Sequence, residues 1–546
     1  VKQRKLMVAG ALFAAGALAL TACGGSSGGS ESEGGDANAA ITVFNIKPQN
    51  PLIPSNTNEV GGGNILDNVF RGLVKYNPDT AAPEMAMAES IESTDNKVWT
   101  IKLKPGNTFQ DNTPVTSDSF IKAWNWGAYG PNGTLNNYFY APIVGYADLN
   151  PEDPDGDGDQ KAPTPTTKEM SGLKKVSDTE FTVTLTTPQS YFPIEVGYTA
   201  FAPLPEAFYA DTAAFGKKPI GNGPFQITSG DGDAGFVLEK WAGYKGPDIP
   251  KIAKATFRTY TSPDAAYADL LAGNLDFMDQ VPPAALVQNQ YQKELEGRNI
   301  NKPVGLIGTA TLPVYDPNYA DPNVGKAFSM AIDRDAITKS VFNGGRTPAT
   351  GWVSPVVDGY KAGACGEFCT YNPAKAKEYL AKATNFKPPF VYSYNADGPG
   401  NKEASEAICN SVKNALGVDC KTKVYVDQAT SRADITAHKM TNIFRTGWQM
   451  DYPSIQNFLE PLYATGASSN DGLYSNKKFD ALLTKAAGES SEAGLATYQE
   501  AEKLLADNMS IVPLWYYAQQ SGWSTRLANV KVTPFSTLSL ADVTVK

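Results

Sequence analysis

Histidine is almost absent from this chain: His438 is the only one in 546 residues. That removes most metal sites and most schemes built on an imidazole acid or base. No HExxH or GxxxxGK[ST] run occurs either, and GxSxG arises only within the Gly/Ser run Gly24–Gly29, not as a strand-to-helix elbow. A zinc protease, an α/β-hydrolase and a P-loop ATPase therefore lack their signatures. Positive charge is also short. The 47 Lys and Arg against 57 Asp and Glu give −10 and a pI near 5.0. This balance argues against nucleic acid or an anionic membrane surface as the main partner. Charged residues make up only 19%, which excludes a disordered polyelectrolyte.

What is present is a large apolar and aromatic fraction. The chain is 42% hydrophobic and 11% aromatic, with 26 Tyr and 8 Trp. Such a length and composition imply two to four domains, or one large α/β body with an insertion.

The start of the chain reads as an export signal rather than as fold. Lys2, Arg4 and Lys5 precede an apolar run from Leu6 to Leu20, and small residues follow up to Cys23. The run has 15 residues, short of the ~18–20 that cross a bilayer as a helix. No later segment is long and apolar enough to cross. Leu20-Thr21-Ala22-Cys23 resembles the bacterial lipobox. The resemblance implies cleavage after residue 22 and lipidation of Cys23; the competing reading is an ordinary signal that happens to contain a cysteine. Acyl chains at Cys23 would anchor the protein outside the cytoplasmic membrane. Loss of Lys2, Arg4 and Lys5 leaves 44 basic against 57 acidic residues, about −13. Residues 23–40 are rich in Gly, Ser and acids. They read as a flexible tether, its 17 residues after Cys23 reaching ~20–25 Å.

Four cysteines remain, as Cys365-x3-Cys369 and Cys409-x10-Cys420. An even count in an exported chain favours disulfides. Three pairings are open, and the local one is favoured. Ile408–Leu416 reads as the end of a helix and 421–426 as a strand after the Gly417 turn, so Cys409 and Cys420 could staple the two. A zinc site would need other spacings and a nearby histidine.

Strands are expected at Ile41–Phe44, Trp99–Leu103, Phe181–Leu185 and Ile511–Tyr517, from alternating or continuous apolar patterns. A loop to Gly63 should precede a helix carrying Ile65, Leu66, Val69 and Phe70. Thr116 should cap another helix. Asn323 should cap one long amphipathic helix through Ile337. Late helices are expected at Phe479–Ala487 and Leu495–Asn508. Asn150–Thr167 is polar, acidic and Pro-rich, a surface insertion. Mixed strands and helices along the whole chain indicate α/β lobes.

Several of these segments resemble the oligopeptide- and dipeptide-binding solute receptors of ABC importers. The carriers are Asp95–Gly106 with Phe109–Thr116, Pro219-Ile220-Gly221-Asn222-Gly223-Pro224-Phe225, Val324–Arg334, and Arg445-Thr446-Gly447-Trp448-Gln449-Met450-Asp451-Tyr452-Pro453. Two departures stand out: Asn112 where the family usually has glycine, and Gly325 where it usually has arginine. The resemblance covers roughly residues 41–546.

It implies an α/β, two-lobed periplasmic-binding-protein-like fold with an extra subdomain on the first lobe. Lobe I would comprise 41–72, 216–305 and 513–546, the extra subdomain 73–215, and lobe II 306–512. It further implies a monomer that captures short peptides by hinge closure. The partner would be an ABC permease whose ATPases are separate chains. No cofactor is required.

In relatives an aspartate matching Asp451 pairs with the ligand's α-amino group; here it could instead cap the turn before Pro453. Arg445 matches an arginine near the ligand backbone or carboxylate, and pairing with another carboxylate of lobe II is the competing role. Trp448 would wall the cleft or fill core. Gly447 would let two backbones approach. Opposite them, Asn58-Glu59-Val60 would touch the first peptide residues, with Glu59 as a second partner for the ammonium. Tyr138 or Tyr140 would contact ligand backbone.

A second motif lies in the insertion. Asp153, Asp155, Asp157 and Asp159 occupy positions one, three, five and seven of a calcium-type loop, with Gly158 at position six. Thr164 replaces the usual glutamate at position twelve, so Glu169 or another acid would have to complete a weak site; a solvated acidic loop is the alternative. The same fold could also serve an oligosaccharide, a nickel complex, haem or an opine. An exported hydrolase working through a carboxylate pair has no specific support.

Overall fold

A computed structural model describes residues 36–153, 161–396, 398 and 400–546. The signal, most of the tether and Cys23 lie outside the described residues. So do Asp155, Asp157 and Asp159.

An eleven-stranded mixed sheet organises the chain. Its two central members, Asn299–Thr311 and Ile511–Trp523, are 13 residues each and run antiparallel. Their pairing holds over Asn299–Pro303, breaks, and resumes at Ile307. On one side of this ladder stand Phe277–Met278, Ala40–Asn45, Lys254–Thr259, Gly235–Lys240 and Phe225–Asp231 in that order. On the other side stand Ile443–Gln449, Phe390–Asn395 and Cys420–Tyr425. Arg346–Pro348 pairs with Ile511–Trp523 off the main path. A separate four-stranded antiparallel sheet holds Ala88–Glu92, Val98–Leu103, Glu180–Thr184 and Leu173–Ser177.

Burial follows this division. One core runs from Ala39 through Phe257 and returns at Leu527–Val545, including the four-stranded sheet. A second is built from Ile307 to Tyr516. Two long strands thus tie two cores together, and their pairing breaks between the cores.

Local chemistry explains most elements. Thr116 and Ser119 form a reciprocal capping box on Ser117–Ala128. Three expectations need correction. The first helix begins at Val60, not after Gly63, because the Glu59 carboxylate accepts from Gly62 N at 3.1 Å and caps it. Gly61 permits this start: a Cβ there would sit 2.5 Å from the Ile46 carbonyl oxygen. Asp321, not Asn323, caps Pro322–Met330, accepting from Asn323 N at 2.9 Å. The long helix expected through Ile337 is two helices, because Asp333 caps a second one, Arg334–Phe342. At that break Arg334 is buried and donates to the Pro513 and Ser329 carbonyls and the Ser329 hydroxyl. Disulfides join Cys365 to Cys369 and Cys409 to Cys420, the latter bridging Asn401–Leu416 to Cys420–Tyr425.

Gly325 also has its reason. A Cβ there would collide with the Met509 carbonyl oxygen, where the C-terminal end of helix Ser491–Asn508 packs against Pro322–Met330. Gly325→Ala should therefore cost about 2–3 kcal/mol through overpacking, despite alanine's better helix propensity. Chemical denaturation should show the loss; equal or higher stability would mean that the contact yields easily.

Candidate ligand-binding cleft

A cavity of about 950 Å³ opens between the two cores. Asn58, Glu59, Val60, the polar stripe Asn64, Asp67 and Asn68 of helix Val60–Val69, and Arg71 just beyond it form one wall. Trp448, Gln449, Met450 and Asp451 form the facing wall. Tyr76, Tyr138, Tyr198 and Phe535 add aromatic surface, with Tyr76 and Phe535 stacked at 5.2 Å.

Asp451 follows directly on strand Ile443–Gln449. Asn457, 2% exposed on the next helix, fixes it from two directions. The Asn457 side-chain oxygen accepts from Asp451 N at 2.9 Å and Trp448 Nε1 at 3.1 Å. Its amide nitrogen donates to Asp451 Oδ2 at 3.0 Å. No lysine or arginine among the described residues pairs with Asp451. Burial therefore pushes its carboxyl up to about 6, with the Asn457 bond opposing.

The strand before it is open along one side. Phe444–Gln449 pair with Asn299–Thr311 on one edge. Phe390–Asn395 covers the other edge only at Ile443 and Phe444. Among the described residues, Thr446–Gln449 have no strand paired on that edge, beside the cleft.

Arg445 projects from this strand and donates to Asn395 Oδ1 at 3.2 Å and to the Tyr517 hydroxyl at 3.4 Å. Arg346 stacks on Tyr517 at 4.0 Å and on Phe342 at 3.6 Å. Burial lowers the Arg346 guanidinium to about 10. The two cations bring the Tyr517 hydroxyl down to about 8 against its burial.

The family model of bacterial extracellular solute-binding proteins, family 5 (middle), matches residues 82–470. The chain belongs to this family. Oligopeptide-binding protein OppA of Bacillus subtilis is 27% identical over 526 residues, covering 92% of both chains. Dipeptide-binding protein DppE of the same organism is 29% identical over 475 residues, 83% of this chain and 82% of that one. Among solved structures, the unliganded open form of the murein tripeptide-binding protein MppA superposes with a TM-score of 0.76 at 22% identity. That match covers 93% of this chain and 97% of the other. OppA of Haemophilus influenzae in complex with the peptide RPPGFSPFR gives 0.74 at 21%, over 94% and 99%. The architecture is thus the two-lobed family 5 fold with its extra subdomain, and the named relatives are binding proteins rather than enzymes.

Within this family 5 receptor the structure sorts the expected residues. Asp451, Trp448, Glu59 and Val60 line one cavity. Glu59 spends its carboxylate on the Gly62 amide, which competes with a role as second partner for an ammonium. Gly447 lies on the open strand edge and lines a smaller recess of about 260 Å³ behind Trp448. Arg445 lies on the same strand but not on the cavity wall. Of the two tyrosines, Tyr138 lines the cavity and is 44% exposed, whereas Tyr140 is core. Asp153 is exposed. Among the described residues no group of three or more His, Cys, Asp or Glu could hold a metal. No helix among them is long and apolar enough to cross a membrane.

Sequence reasoning missed Asn457, Asp67, Glu195 and Arg346. Asn457 did leave a signal: it is a polar side chain among Ile455, Phe458 and Leu459 on the buried face of its helix. Glu195 left a similar one, an acid within Tyr191-Phe192-Pro193-Ile194-Glu195-Val196.

Proposed function

We propose that this chain is the peptide-capturing receptor of an ABC importer, held outside the cytoplasmic membrane by an acylated Cys23. The observation that carries the reading is Asp451, an enclosed carboxylate without a protein cation at the end of a free strand edge. A peptide supplies what both lack. Its ammonium pairs with Asp451, a charge-assisted bond contributing ~1.5–3 kcal/mol. Its backbone adds to the Thr446–Gln449 edge as an extra strand, while Arg445, with Arg346 behind it, offers cations for the carboxylate end. The names of the relatives, which bind oligopeptides and dipeptides, support the same class.

Lobe I is assigned to 41–72, 216–305 and 513–546, with 73–215 as its extra subdomain, and lobe II to 306–512. The stretch between Pro303 and Ile307, where pairing with Ile511–Trp523 is interrupted, would act as part of the hinge. Peptide bridging the walls stabilises the closed form, which then docks on the permease.

Native mass spectrometry of the chain from Ala37 onward, purified without denaturant, tests the reading. Adducts that fragment into heterogeneous short peptides are the expected result. An unadducted mass that shifts with an oligosaccharide or a metal chelate, and never with peptides, would overturn it.

A further inference from the structure

Buried carboxylates in proteins are almost always paired with a cation. Around the Asp451 end of the cleft stand four carboxylates without one: Glu195 is buried, Asp451 and Glu460 are half-buried, and Asp67 is exposed on the cavity wall. Asp67, Glu195, Asp451 and Glu460 make no ion pair with a lysine or arginine among the described residues. Glu460 accepts from Gln456 at 2.7 Å and from the Tyr191 hydroxyl at 3.4 Å. Asp67 accepts from the Thr199 hydroxyl at 2.8 Å. Arg71 stands near Asp67, but its guanidinium is committed to Asp248 at 2.5 Å and to the Tyr244 hydroxyl at 3.3 Å. Glu195 is 5% exposed. One peptide ammonium can satisfy only Asp451.

We propose that the receptor selects peptides whose first residue carries a second positive charge (lysine, ornithine or arginine), held at Asp67 while the α-ammonium sits at Asp451. This rests on the peptide-receptor reading above. Asp67 and Asp451 both open onto the same cavity, from opposite walls. The rings of Tyr76 and Tyr198 line the same cavity, with faces that attract an alkylammonium or guanidinium. Both hydroxyls are pushed well above their ordinary value by burial, with Asp451 and Asp67 each adding to it. Both carboxylates thus act electrostatically on the same two rings. Glu195 lies beside the same site, and burial, Glu460 and Asp451 push its carboxyl up to about 8. With that proton retained, Glu195 adds no further charge beside Asp67 and Asp451, the two carboxylates offered to the ligand's two cations.

Calorimetric titration of the mature chain with Lys-Ala-Ala and with norleucine-Ala-Ala at pH 7.5 tests this. The two peptides match in shape and differ in one charge. Wild type should prefer the lysine peptide by about tenfold or more, and the preference should shrink in high salt. In Asp67→Asn the two affinities should fall within about threefold of each other. The ratio is taken within one protein, so partial misfolding does not mimic its collapse. Equal affinities in wild type, or a preference that survives Asp67→Asn, would overturn the proposal and leave the peptide reading intact. Binding of neither peptide would overturn both.

Discussion

Replacing Asp451 by asparagine should weaken peptide capture by about 100-fold and, at neutral pH, make the empty receptor more stable. The first effect follows from losing a charge-assisted bond to the ammonium in an enclosed site, ~3 kcal/mol at the upper end of its range. The second follows from the same carboxylate when no peptide is present. Burial holds it at about 6 instead of 3.8, so between these values the folded state binds more protons than the unfolded one. Stability then falls as pH rises through that window. By pH 7.5 the uncompensated charge costs roughly 3 kcal/mol. Asparagine carries no such cost and can still face Asn457. Differential scanning fluorimetry should show the variant melting above wild type at pH 7.5, with the gap closing toward pH 4. Calorimetry on wild type should show peptide affinity declining as pH drops below about 6. Unchanged affinity in the variant would return Asp451 to the role of a turn residue before Pro453.

The sign of the stability change separates a binding carboxylate from a structural one. Asp276 shows the contrast. It is 2% exposed, but it accepts from Arg526 at 2.8 Å, Ser524 at 2.8 Å and Thr42 N at 2.9 Å. Its neutralisation would leave a buried arginine contact and several donors unsatisfied, and would destabilise the protein with or without peptide. Asp451 has Asn457 alone. Its charge has no counterpart until a ligand brings one, which is the electrostatic form that an empty receptor site takes.

How much of this was legible in the sequence varies with the kind of contact involved. Strands at Ala40–Asn45, Val98–Leu103 and Glu180–Thr184 follow from alternation, which is local. The Thr116 cap is local as well. The segment Arg445–Asp451 could be picked out because its residue types stand close together in the chain. The start of helix Val60–Val69 could not, because glycine at 61 answers to the Ile46 backbone. Gly325 answers to Met509 in the same way, across the fold. Asp67 was invisible for a different reason. Asn64, Asp67 and Asn68 form an ordinary polar helix stripe, and periodicity cannot distinguish a stripe facing solvent from one facing a cavity. The choice between Tyr138 and Tyr140 needed the turn Asn137–Tyr140, which sends one ring out and the other into the core.

N-methylation of the peptide backbone should reveal the free strand edge directly. Among the described residues Thr446–Gln449 have no strand paired on one side, and an extended ligand can fill that side. In any β-ladder a strand turns its N–H groups alternately toward and away from a given neighbour. Methylating a peptide nitrogen that faces the edge removes a donor, leaves a strand carbonyl unpaired and places a methyl group in the ladder. That combination costs ~1.5–3 kcal/mol, about 10- to 100-fold in affinity. Methylating the next nitrogen along should cost far less on this side. A methyl scan through an alanine tetrapeptide carrying a free amino terminus should therefore give losses with a period of two. Lobe I does not cancel the pattern, because helix Val60–Val69 faces the cleft with side chains rather than with a strand edge. A flat profile would mean that side chains and termini alone hold the ligand. The open edge of Thr446–Gln449 would then have to be explained by lobe closure instead.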